Sequence, residues 1–180
     1  MKFDSKNMTK IAVMTAVICI LGPLSIPIGP VPISLTPLTI LLSVYILGTA
    51  SGSVATLLYV FLGAVGLPVF GGFTGGFGII AGPTGGYIIG YVFLALISGW
   101  FIEHFYNMVW VQYMGMCLGM AVLYAFGTAW LAYVAHMTFA EALTVGVLPF
   151  IAVDMIKMAV SIILGRAVNK RLDAVGIKGK

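Results

Sequence analysis

Asp154 and Lys157 stand three residues apart within an otherwise apolar run, LPFIAVDMIKMAVSIILGR, from Leu148 to Arg166. On a helix that spacing puts a carboxylate and an ammonium on one face, close enough to pair. The run is long enough to cross a bilayer. A charge near the middle of such a helix costs roughly 2.5 to 3.5 kcal/mol, so it turns to a bundle interior or a wet cavity and takes a partner. Two readings follow. Either the pair neutralises itself as interhelical glue, or it offers a hydrogen-bond acceptor and a donor to a polar ligand. Pro149 suits the first turn of a helix, which places the pair roughly one to two turns below one membrane surface. A pocket open to that surface would reach both side chains.

The elements that must hold this pair are membrane helices. The chain of 180 residues is 61% hydrophobic and 8% charged, with a mean hydropathy of +1.14, outside the range of soluble domains. At about 20 residues per span, the length allows five or six helices and no added soluble domain. The net charge of +4 is concentrated at the two ends. Lys2, Lys6 and Lys10 stand at one end, and Arg166, Lys170, Arg171, Lys178 and Lys180 at the other. Flanking cations mark the cytoplasmic side, so both termini are expected inside and the number of spans even. That selects six spans and argues against nucleic acid as the partner.

The first apolar run, from Ile11, carries no small-residue cleavage pattern and is read as a span. The expected spans are about 10–24, 38–48, 54–66, 84–101, 113–133 and 148–168. Ala12 and Ala16, four apart on the first, form a small face suited to close helix approach, whether inside the bundle or against a partner. After it comes SIPIGPVPISLTP, Ser25 to Pro37, whose prolines impose a stiff, extended course. The second and third spans are short, with a small-residue turn expected over Thr49 to Ser53. Reading them as one continuous helix would leave five spans and put the basic ends on opposite sides.

Leu67 to Tyr87, LPVFGGFTGGFGIIAGPTGGY, is dense in glycine. It lacks the lysine and the spacing of a phosphate loop, and its apolar content points to a packed re-entrant cap over a cavity rather than a loose connector. With the termini inside, the proline-rich segment, the glycine-rich segment and the start of the last helix share the external face. An externally open site under two loops results, with Asp154 and Lys157 at its polar end.

No metal or catalytic constellation accompanies it. Cys19 and Cys117 lie in apolar runs as small buried residues. His104 and His136 lack a second ligand at metal-binding spacing and, with Glu103 and Glu141, fall at span ends. No nucleophile stands beside a base, and no nucleotide-binding motif occurs. A carrier of small molecules, including a proton-coupled one using Asp154, is therefore weighed ahead of an enzyme.

The segments GPVPISLTPL at 29–38, GLPVF at 66–70, GPTGGY at 82–87, GTAWLA at 127–132 and PF…D..K at 149–157 together resemble the BioY family, the biotin-binding S components of energy-coupling factor transporters. The resemblance implies an all-α integral membrane protein, a compact bundle of six transmembrane helices with proline-rich and glycine-rich external loops over a vitamin pocket. It implies biotin as the transported ligand, with no cofactor, in a prokaryotic cell membrane. It also implies a transmembrane coupling subunit and two ATP-binding cassette ATPases as partners. Asp154 and Lys157 match the motif that binds biotin. Val31, Phe70, Thr84, Gly85, Gly86 and Tyr87, within the matching segments, complete the expected pocket, and Ala12 and Ala16 match the motif that meets the coupling subunit. The sequence departs at Ala152 and Val153, where the family often has proline and glycine. A ureido ring presents one carbonyl acceptor and two N–H donors, which an aspartate beside a lysine complements. Its carboxylate would fall to Lys157 or to amides of the glycine-rich segment, since Arg166 lies near the cytoplasmic end.

Overall fold

The computed structural model describes residues 5–174, so Lys2, Lys178 and Lys180 lie outside the described residues. Six longer helices and two short ones are joined by tight connections, beginning with α1 (Ser5–Leu21), a small antiparallel hairpin of β1 (Ser25–Ile26) and β2 (Ile33–Ser34), and α2 (Thr36–Leu47). Then follow α3 (Thr49–Ala64), the short α4 (Phe77–Ala81), α5 (Gly85–His104), α6 (Val109–Val134), the short α7 (Phe139–Gly146) and α8 (Leu148–Ala174). Three of them, α5, α6 and α8, are long and apolar enough to cross a membrane. By contrast α2 has 12 residues, about 18 Å at the usual rise per residue.

Local sequence explains the element ends. Pro37 sits in the first turn of α2, where its missing N–H costs nothing. The chain breaks at Gly48, which takes φ 83°, a conformation that side chains disfavour. This corrects the expected turn over Thr49 to Ser53, since those residues already belong to α3. Small size alone does not stop a helix; the positive φ does. Glu103 on α5 then caps α3, accepting from the Thr49 N–H at 3.0 Å and from the Thr49 hydroxyl at 2.6 Å. The connection after α6 also holds a helix that its length did not announce. There Thr138 and Glu141 form a capping box that starts α7, and the Thr138 backbone and hydroxyl hold the Glu141 carboxyl below the usual carboxylate range.

The two loops at the far end of the bundle are folded rather than merely extended. The proline-rich segment doubles back as the β1–β2 hairpin, with Ser25 opposite Ser34. The glycine-rich segment turns through a bridge between Phe70 and Thr74 before α4. They are tied together, because the Gly72 N–H donates to the Pro23 carbonyl at 2.9 Å. Underneath, a continuous core runs from Ile18, Ile40 and Leu41 through Tyr59 and Phe70 to Leu94, Met116 and Leu131. At the other end a polar network replaces it. Tyr45 donates to Gln112 at 2.6 Å, Arg166 donates to the Tyr45 hydroxyl and to the Tyr106 carbonyl, and Asn169 donates to the Tyr45 carbonyl.

Candidate functional site

The start of α8 brings Asp154 and Lys157 beneath the folded loops. The helix runs unbroken through Ala152 and Val153, so the backbone before Asp154 is regular. Both side chains are nearly closed off, Asp154 at 5% exposure and Lys157 at 7%, and they pair at 2.7 Å. Neither is paired only with the other. Lys157 also donates to the Ser34 carbonyl at 2.7 Å, pinning the proline-rich hairpin to α8. The second carboxylate oxygen of Asp154 accepts from the Tyr124 hydroxyl of α6. Two charge-assisted bonds on the carboxylate and two on the ammonium offset the desolvation that burial imposes.

Of the cavities that reach this cluster, two adjoin beneath the loops. The smaller, about 30 Å³, is lined by Asp154, Lys157, Tyr124, Leu123, Phe150 and Gly146 among others. The larger, about 270 Å³, lies under the two loops and is lined by Thr36, Tyr59, Phe70, Thr74, Ile79 and Thr84 among others. Val31, Pro32, Ser34, Tyr87 and Tyr91 line both, so the chambers meet across a shared wall. One end of the combined space is charged and hydrogen-bonding; the other is mainly apolar, with the hydroxyl-bearing Thr36, Tyr59, Thr74 and Thr84 on its wall. Such a space suits a compact ligand with a polar head and a hydrocarbon body.

Of the residues singled out in the sequence, Val31, Phe70, Thr84 and Tyr87 line the larger chamber with Asp154 and Lys157 on the smaller. Gly85 and Gly86 are not among the lining residues of either. A Cβ on Gly86 would collide with Trp130 of α6, and one on Gly85 with the Ile80 carbonyl. Their bareness serves the close approach of α5 to α6 and to the end of α4. Trp130 completes this seam, donating to the Gly82 carbonyl at 2.9 Å, which fastens the glycine-rich loop to α6. Tyr87 is fixed likewise, its ring lying on Gly127 and its hydroxyl donating to the Gly146 carbonyl at 3.1 Å.

The structure adds residues that the sequence did not reveal. Tyr91 follows Tyr87 by one helical turn, a spacing that could have pointed to it. Tyr124 had no such signal, because a tyrosine in an apolar helix does not declare which way it faces. Arg166 lies at the opposite end in the Tyr45 network, and neither chamber includes it. Among the described residues no group of acidic, histidine and cysteine side chains is arranged to hold a metal ion.

Comparison with known proteins gives a single pattern. The model of the BioY family matches residues 1–174. The chain is similar to the biotin transporter BioY of Thermotoga maritima, 36% identical over 165 residues that cover 92% of this chain and 96% of the relative. It is also similar to the probable biotin transporter BioY of Pyrococcus horikoshii, 37% identical over 160 residues that cover 89% and 94%. Its fold resembles the crystal structure of the S-component for biotin from an ECF-type ABC transporter, with a TM-score of 0.85, 32% identity, and coverage of 92% of this chain and 91% of that one.

Proposed function

The chain belongs to the BioY family, and on that premise we propose that it is the membrane-embedded, biotin-binding subunit of an energy-coupling factor transporter, performing no chemistry itself. The observation that carries the reading is the buried Asp154–Lys157 pair at the polar end of a loop-covered cavity that is large enough for a small amphipathic ligand. In this reading the ureido head of biotin sits at the small chamber. Lys157 offers its remaining N–H to the ureido carbonyl, and Asp154, held in place by the Tyr124 hydroxyl, accepts from an N–H. The thioether ring and hydrocarbon arm lie in the larger, apolar chamber against Phe70, Tyr87 and Val31, and the carboxylate points to the loops.

The coupling surface belongs to α1. Ile11, Thr15 and Ile18 are buried in the bundle, whereas Ala12 and Ala16 are exposed. That face is therefore free of internal packing, which favours a partner helix over the bundle as its occupant. The partners in this reading are a transmembrane coupling subunit and two ATP-binding cassette ATPases.

The membrane arrangement is six spans formed by α1, α2, α3, α5, α6 and α8, with both termini cytoplasmic in a prokaryotic cell membrane. Thr74 is exposed at the rim of the larger chamber, while Asn107 lies between α5 and α6 at the opposite end. A cysteine at Thr74 is expected to react with a membrane-impermeant thiol reagent added to intact cells, and biotin to protect it. A cysteine at Asn107 is expected to stay unlabelled. Reversed labelling would overturn the orientation, and equal labelling with and without biotin would overturn the placement of the ligand.

Tyr124 carries a separate test. Tyr124→Phe removes one hydrogen bond to a buried carboxylate that pairs with a lysine, an interaction worth about 1.5 to 3 kcal/mol. Biotin affinity is expected to fall by roughly tenfold or more, with the protein still folded by its melting curve. Parent-like affinity in this variant would remove Tyr124 from the site.

A further inference from the structure

The end of the bundle that carries the Tyr45 network has its own pair of adjoining cavities. One, about 350 Å³, is polar in character, with Asn7, Lys10, Tyr45, Glu103 and Tyr106 on its wall. The other, about 300 Å³, is an apolar groove between α1 and α8 lined by Thr9, Val13, Met14, Val168 and Leu172. Lys10, Ile46 and Leu47 line both, so a polar chamber opens into an apolar trough at a lysine. The geometry points to a binding site for an anionic glycerophospholipid, with its phosphate at the lysine and an acyl chain along the groove.

Charge supports an anionic head. Lys6, Lys10 and Val13 follow one another at helical spacings of four and three, which places them on one stripe of α1. Arg171 adjoins Leu172 on α8, three residues after the groove-lining Val168. Against these cations stands one carboxylate on the chamber wall, Glu103, which caps α3 through the Thr49 N–H and hydroxyl. Asp173 is the other described acid at this end, and it stands about 200° around α8 from Arg171. Basic pockets between membrane helices on the cytoplasmic side select anionic head groups on this principle. Methylene chains then bury themselves in the trough, as they do wherever an apolar groove faces lipid.

The groove borders the exposed α1 face proposed for the coupling subunit, and a helix of that partner is the competing occupant. The full-length chain, purified alone, separates the two. Native mass spectrometry after exchange into micelles doped with phosphatidylglycerol or phosphatidylcholine is expected to show retention of phosphatidylglycerol about tenfold over phosphatidylcholine. The variant combining Lys6→Gln, Lys10→Gln and Arg171→Gln is expected to lose that preference, and Val168→Trp to lower retention by filling the trough, both with unchanged biotin affinity as proof of folding. Equal retention of the two lipids by the parent chain, a measurement that needs no variant, would overturn the proposal. So would an undiminished preference in the charge variant, and if that variant also failed to co-purify with the coupling subunit the groove would be assigned to the partner.

Discussion

Lys157→Ala is expected to abolish high-affinity biotin binding and Asp154→Asn to weaken it by more than tenfold, about 1.4 kcal/mol. Two consequences follow from removing the lysine. The ligand loses a donor, and the Ser34 carbonyl loses the bond that holds the proline-rich hairpin on α8. The Asp154 carboxylate then keeps only the Tyr124 hydroxyl. Breaking one side of a buried ion pair costs about 3 to 5 kcal/mol, so Lys157→Ala should also lower the melting temperature. Asp154→Asn keeps the volume and an acceptor for Tyr124, but it leaves the Lys157 ammonium with only the Ser34 carbonyl, so it too is expected to lower the melting temperature. A parallel variant, Lys157→Met with Asp154→Asn, removes the charges together and separates loss of ligand contacts from loss of stability. Near-normal biotin affinity in Asp154→Asn and in the double variant would sink the assignment of this pair to the site.

Ala12→Trp and Ala16→Trp are expected to do the reverse, sparing binding and stopping transport. Neither position is buried, so a larger side chain meets no core atom and should not overpack the bundle. The ligand pair is on α8 and the alanine face on α1, which makes the two effects independent. Uptake of biotin by cells and co-purification with the coupling complex should both be lost, while affinity measured on the purified variants stays within about twofold of the parent, under 0.5 kcal/mol. Transport at the parent rate would show that this face is not the coupling surface. Joint loss of binding and expression would mean that it packs inside the protein.

What the sequence disclosed was decided by cost. An aspartate and a lysine inside an apolar helix are expensive enough that their presence alone marks a polar, enclosed site, and the structure places them on the wall of a cavity. Prolines and glycines at high density likewise announce irregular backbone, and the two loops that they build are joined through Gly72 and Pro23. Cheaper choices left no trace. Gly85 and Gly86 signal close backbone approach without saying to what, and the structure shows Ile80 and Trp130 against them. Tyr124 costs little on any face of a membrane helix, so its hydrogen bond to Asp154 became visible only in three dimensions. The turn between α2 and α3 lies one step earlier than the small residues suggest, because a run of small residues reads as a loop, whereas Thr49 to Ser53 are compact helix and Gly48 has the torsion that breaks it. The capping box at Thr138 and Glu141 was present in the sequence, but the short helix that it opens shows no apolar run long enough to be read as a span.

Calorimetric titration of the detergent-purified chain, alone and without any coupling subunit or nucleotide, against biotin and a panel of other small vitamins tests the central claim most directly. One site per chain for biotin, with no heat from thiamine, riboflavin or folate and with the signal strongly reduced in Asp154→Asn, is the predicted result. Absence of biotin binding by the folded parent chain, or equal binding of an unrelated vitamin, would contradict the account.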